Sequence, residues 1–277
     1  MKKREMSIPE LETKASDLRR LVLRLCAEKG GCHVGGSLSI VEMVAALYFQ
    51  VMNVDPNRPD SPDRDHFILS KGHCCPTLYA ALGERGFFPV EEIFTYQELD
   101  SRFAGHPMLQ VPGVEVPTGS LGHGLGVGIG MAVAARADAT PSRVFVLMGD
   151  GEQQEGSVWE SAMAAAHHRL DNLIAIIDRN QLQSGGRTED FMQLGPLADK
   201  WRAFGWAAEE IDGNDMAQVV DALSRLPFEA GKPSAIVSNT VKGRGVSFIE
   251  NRPESHYRGL TQEQYREALK EMDEKPA

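Results

Sequence analysis

The chain has little of what marks a secreted, membrane-bound or nucleic-acid-binding protein. Only four of its 277 residues are cysteine: Cys26, Cys32, Cys74 and Cys75. They form no CxxC pair and no metal-ligand spacing, and adjacent Cys74 and Cys75 are unsuited to a structural crosslink. All four therefore read as reduced thiols, which predicts a cytoplasmic protein. The first residues, MKKREMSIPELETK, are basic but have no apolar stretch behind the charges, so no secretory leader is expected. No apolar run approaches the ~18–20 residues of a membrane span. Positive charge is also scarce: 29 Lys and Arg stand against 39 Asp and Glu, a formal net charge of −10. That balance argues against a nucleic-acid binder, which needs a basic face. Repeats, low-complexity tracts and linkers are missing too, and one domain over residues 1–277 is expected.

What the chain does have is alternation. Ser7 and Glu10 form a capping box with Pro9 in the first turn, followed by Leu11, Ala15, Leu18, Val22 and Leu25 at helical spacing and a stop at Gly30. Ser39 and Glu42 predict a second helix start, and 53–65 reads as a polar, proline-rich loop. Short apolar runs at 66–70, 143–148, 172–178 and 234–239 read as buried strands, with 206–212 a weaker fifth. Helical patterns at 157–170 and 215–226 lie between them, and a capping box from Thr261 to Gln264 opens the last helix. Strands alternating with helices imply an α/β fold, a parallel sheet flanked by helices. In such sheets ligands bind at the carboxyl ends of the strands.

The run VFVLMGDGEQQEG (144–156) drives an apolar strand into a carboxylate between two glycines. Thirty residues later, DRNQL (178–182) ends the next strand. Each piece alone could be a turn. On neighbouring parallel strands, Asp150 and Asn180 would stand side by side, and with a backbone carbonyl they form an incomplete all-oxygen shell. That suits Mg²⁺, or another divalent cation, completed by phosphate and water. Gly149 and Gly151 admit a phosphate to the backbone, and the following helix offers it free N–H groups. GDG followed by Asn at this spacing resembles the thiamine diphosphate motif.

Further segments narrow the resemblance. GGCHVGGSLSIVEMVAALYF, FILSKGHCCPTLYAALGERG, FAGHPM, TGSLGHGLGVGIGMA and NTVKGRGVSFIEN together resemble the N-terminal, thiamine diphosphate-binding half of a transketolase, over about residues 12–258. The usual single-chain transketolase is more than twice as long. The chain is similar to the split form, in which a partner subunit carries the pyrimidine-binding and C-terminal domains.

The resemblance implies roles. Asp150, Asn180 and the carbonyl of Leu182 would be the metal ligands. Gly149 and Gly151 would form the diphosphate turn, with Gly119, Leu121 and His73 also against the cofactor. His33, His73, His106 and His256 would line the substrate channel, where a hydroxyl-rich sugar and a moving proton suit groups that titrate near neutrality. Glu155 would face the partner subunit. His123 is balanced between cofactor contact and packing, while His167 and His168 read as structural. The chain departs from the family pattern at Ser184 and Gly185, where an apolar wall against the cofactor is lost, and at Cys74 and Cys75, which replace small residues beside His73. With no base nearby in sequence, neither thiol is expected to act as a nucleophile.

The implied reaction moves a two-carbon ketol unit from a ketose, one bearing a phosphate or other acid group, to an aldose. The glutamate that activates the cofactor belongs to the missing half. The chain alone is therefore expected to bind cofactor weakly and not to turn over, the active assembly being a two-plus-two heterotetramer. Two other readings compete: a subunit of a thiamine diphosphate-dependent 2-oxo acid dehydrogenase or decarboxylase, and a non-catalytic interaction protein that kept the fold. The histidines of LSKGH and GHP speak against the first, and intact Asp150 and Asn180 against the second.

Overall fold

A computed structural model describes residues 5–274. The basic residues Lys2, Lys3 and Arg4, weighed above for a leader, lie outside the described residues. Helix α1 (Ile8–Glu28) begins at the expected capping box, with the Ser7 N–H donating to Glu10 at 2.8 Å, and buries Leu11, Ala15, Leu18, Val22 and Leu25. No helix among the described residues is long and apolar enough to cross a membrane.

The second helix does not start at Ser39. Two short helices, α2 (Val34–Leu38) and α3 (Val41–Ala46), run here instead, with His33 before the first and Ser39 at its end. The capping box fails because both partners are taken elsewhere. The Ser39 hydroxyl donates to Gly36 O at 2.9 Å and to Asp178 at 2.8 Å, while Glu42 forms a buried ion pair with Arg19. Tertiary partners outcompete the local cap.

Five strands form one parallel sheet: β1 (His66–Leu69), β2 (Val144–Gly149), β3 (Leu173–Arg179), β4 (Ala207–Asp212) and β5 (Ser234–Asn239). Their spatial order is β1-β2-β3-β5-β4. The chain steps across from β1 to β3, jumps to the far edge and returns. Right-handed crossovers then put the first three connections on one face and the last on the other. The cores follow this division for the helix that leads into each of β2 to β5, while the earlier helix of the first connection packs on the opposite face. Phe145, Leu147, Ile174 and Ile176 pack toward α1, α3, α4 (Cys75–Glu84) and α8 (Met216–Ser224). Val144, Val146, Ala175 and Ile177 face α5 (Gly124–Ala137), α6 (Gly156–His167) and α7 (Leu197–Ala203). Strands buried on both faces read as continuous apolar runs, which is why the sequence made them visible. The last helix, α9 (Gln262–Glu274), opens on the Thr261–Gln264 capping box, each N–H meeting the other's side-chain oxygen at 3.1 Å.

Register fixes the site. Gly149 pairs with Asp178 and Arg179 with Asn239, so the strand ends lie nearly level. The residues just beyond them, Ser70 and Lys71, Asp150, Asn180, and Thr240 to Lys242, share one edge.

Candidate functional site at the carboxyl edge of the sheet

That edge opens into a cavity of about 430 Å³. Every residue that the resemblance assigned to the site lines it: His33, His73, His106 and His256; Gly149, Asp150, Gly151 and Glu155; Gly119 and Leu121; Asn180 and Leu182. Asp150 and Asn180 flank its floor from neighbouring strands. One Asp150 oxygen accepts from Gly151 N at 2.8 Å, and the other from Gln181 N at 2.6 Å and Thr188 Oγ1 at 3.2 Å. Burial, and then the negative charge of Asp178, raise its pKa to about 6. The Asn180 amide donates to Asp178 at 2.6 Å, and its oxygen accepts from Leu182 N at 3.1 Å.

The helix after GDG starts later than expected. Gly151–Gln154 is a single tight turn, and α6 begins at Gly156 with Glu155 as its N-cap. The turn lines the cavity, and the first helical residue does not.

The four histidines form one cluster. His33 lies 5.0 Å from His73 and 5.2 Å from His256 between ring centroids, and 6.3 Å from His106. Burial first, then neighbouring positive groups including Lys242, lowers His33 and His256 to about 4. His73 is pushed well below its ordinary value, and burial lowers His106 as well. All four are therefore neutral near pH 7, each able to donate from one ring nitrogen and accept at the other. His33 Nδ1 is buried with no hydrogen-bond partner among the described residues.

Sequence reasoning missed four buried charges. Lys71 and Asp178 form a 2.6 Å ion pair, and Lys71 also donates to Gly36 O at 2.9 Å. Asp178 further accepts from Ser39, Asn180 and Thr240. Lys242 donates to the Leu182 carbonyl at 2.9 Å and lies 3.3 Å from His256 Nδ1. Glu152, beside Asp150, is buried as well. Both lysines sat inside motifs already noted, LSKGH and TVKGRG; a lysine next to a glycine at a strand end was the available signal.

The donor set fits a divalent cation with a diphosphate. Asp150 is 3% exposed and forms no ion pair among the described residues, with the Lys242 charge acting on it only at longer range, a costly state for a buried carboxylate. No cluster of three or more His, Cys, Asp or Glu suited to a metal occurs among the described residues. The fit therefore rests on the mixed oxygen set of Asp150, Asn180 and the Leu182 carbonyl, an arrangement suited to Mg²⁺.

Residues 11–277 match the family model described as the thiamine diphosphate binding domain of transketolase. The chain belongs to the transketolase family. It is 43% identical to an apulose-4-phosphate transketolase subunit of Phocaeicola vulgatus, over 98% of this chain and 96% of that protein. It is 44% identical to the 6-deoxy-6-sulfo-D-fructose transketolase subunit SqwG of Clostridium sp. (strain MSTE9), over 97% of this chain and 98% of that one. Among solved structures, the transketolase from Leishmania mexicana superposes with a TM-score of 0.90 at 28% identity, over 99% of this chain and 42% of that one. The chain thus spans about two-fifths of that transketolase and nearly the whole of the two subunits.

The departures from the transketolase pattern have local explanations. A Cβ on Gly185 would lie 2.7 Å from Phe191 Cζ, so the Phe191 ring occupies that space, while Ser184 lines the cavity. Cys74 lies beneath Gly36, where a Cβ would come within 2.7 Å of its sulfur. Burial pushes both Cys74 and Cys75 upward, which leaves neither as a thiolate. His123 lies outside this cavity, its ring turned toward Leu121 O and Ser120, and His167 and His168 are exposed at the end of α6.

Proposed function

We propose that the chain is the thiamine diphosphate-binding subunit of a two-subunit transketolase, a single domain that works in the cytoplasm in a two-plus-two heterotetramer. Its partner supplies the pyrimidine-binding and C-terminal domains. The observation that carries this reading is the convergence of Asp150, Asn180 and the Leu182 carbonyl with four neutral histidines in one cavity. A full-length match to proteins named as transketolase subunits supports it.

Asp150, Asn180 and Leu182 would hold Mg²⁺, and the glycines of the GDG turn, with Gly119 and Leu121, would lie against the cofactor. When bound, thiamine diphosphate supplies a nucleophilic carbon that accepts and releases a two-carbon ketol unit. The chain's own residues bind and orient. His33, His73, His106 and His256 are spaced to hydrogen-bond sugar hydroxyls and to hold or pass a proton at a ring nitrogen. Their low pKa values keep them able to accept. Buried Lys242 adds a positive charge against the Leu182 carbonyl, suited to an anionic oxygen. Glu155, exposed at the cavity rim, is placed to meet the partner.

The substrates are a ketose donor bearing a phosphate or other acid group and an aldose acceptor. The relatives named for apulose-4-phosphate and for a sulfofructose span that range of acid groups. The test is ketol transfer by the chain co-expressed with its partner, assayed with Mg²⁺ and thiamine diphosphate. Transfer from a ketose supports the reading, and carbon dioxide release from a 2-oxo acid without ketol transfer overturns it.

A further inference from the structure

Glu152 makes a set of contacts that the proposed metal and cofactor ligands leave unexplained. It is 2% exposed and forms no ion pair among the described residues. One carboxylate oxygen accepts from Gly122 N at 2.9 Å and from the Ser70 hydroxyl; the other accepts from Gly149 N at 3.0 Å. These donors belong to three separate segments: the end of β1, the loop before α5, and the last residue of β2. Asp150 reaches from the same turn in the other direction, to Gln181 N and Thr188. The GDG turn is thus fastened on both sides, and Glu152 is the fastening on the side of residues 119–122.

That loop needs it. Gly122 sits at φ +82, and a Cβ there would lie 2.5 Å from Ser157 Oγ, so the backbone runs hard against the start of α6. Other side-chain bonds also hold the loop, Thr118 Oγ1 to Leu69 O at 2.8 Å, Ser157 Oγ to Gly122 O at 3.0 Å, and the His123 ring against Leu121 O and Ser120, but none of these reaches β2. Glu152 ties the loop directly to β2, so its length sets the gap between Gly119 and Leu121 on one wall and Gly149 and Gly151 on the other.

We propose that Glu152 is a positioning residue that fixes this gap before the cofactor arrives, so that binding does not have to order the wall. The inference rests on the cofactor site proposed above. A buried carboxylate with two backbone N–H donors can be replaced in shape by glutamine but not in chemistry. One amide oxygen serves one side, and the amide –NH₂ then faces either the Gly122 or the Gly149 N–H, leaving a buried donor unpaired. A wall that must order on binding weakens affinity rather than the chemical step.

The test uses the full chain in complex with its partner. Thiamine diphosphate with Mg²⁺ is titrated against the wild type and Glu152→Gln, and hydrogen exchange of the Gly122 amide is followed. In Glu152→Gln the dissociation constant rises about tenfold or more, and excess cofactor restores most of the turnover. In the cofactor-free wild type the Gly122 amide, held by Glu152, is already protected, whereas in the variant it exchanges fast until cofactor is added. Equal affinities, or a loss of turnover that excess cofactor does not restore, overturn the inference and leave the proposed function standing. A wild-type complex that binds no thiamine diphosphate overturns both. Should the variant fail to assemble, wild-type exchange decides: a Gly122 amide protected only after cofactor is added contradicts a wall fixed in advance.

Discussion

Lys71 and Asp178 form an ion pair 2.6 Å long with side chains 2% and 1% exposed, beneath the cavity in which the proposed metal ligands lie. Burial alone would lower the Lys71 pKa and raise that of Asp178. Their mutual attraction overrides it, so Lys71 is raised and Asp178 lowered, and both are charged at neutral pH. Asp178 also holds the Asn180 amide nitrogen, which leaves the amide oxygen facing away from Asp178.

Breaking that pair leaves a buried charge without a partner. Asp178→Asn is expected to destabilise the protein by about 3–5 kcal/mol, measured by denaturant unfolding. Adding Lys71→Met to Asp178→Asn removes the stranded ammonium, so the double variant loses less than the sum of the two single losses. Strict additivity would show that the pair contributes nothing as a pair.

The histidine cluster gives a pH prediction. His33 and His256 have folded values of about 4 against an ordinary 6.5. The unfolded chain therefore binds more protons between those values. Stability attributable to these groups is present above about pH 6.5 and is lost as pH falls toward about 4. Lys242→Met removes a positive charge beside His256 and moves the His256 value upward, while burial still keeps it below 6.5. Histidine NMR titration of the wild type and the variant checks this; an unmoved His256 contradicts the assigned cause.

Asp150 titrates in the opposite sense. Its folded value of about 6 lies above the ordinary 3.8, so without a cation its contribution to stability is present below about pH 3.8 and is lost as pH rises through about 6. A bound divalent cation removes that penalty. The rise in melting temperature on adding Mg²⁺ and thiamine diphosphate is expected to be larger at about pH 7.5 than at about pH 5. Asp150→Asn abolishes most of the rise at the higher pH.

The sheet was legible because its central strands are buried on both faces and read as unbroken apolar runs, and even the weaker stretch at 206–212 forms β4. The capping boxes at Ser7 and Thr261 were legible because both ends of each device lie three residues apart. At Ser39 the same local pattern misled, since Asp178 and Arg19 arrive from far along the chain to claim Ser39 and Glu42. The same distinction holds in the site. The GDG turn and the GH pairs announce themselves locally. The importance of Lys71, Asp178, Lys242 and Glu152 comes from burial and from partners on other strands, and a charged residue in sequence looks solvated until packing takes its water away.

The decisive measurement is native mass spectrometry of the tagged chain, purified from its own cells with Mg²⁺ and thiamine diphosphate present. The expected result is two copies of this chain with two copies of a somewhat larger partner, carrying cofactor that a metal chelator strips away. The chain emerging alone, or as a homodimer without cofactor, would contradict it.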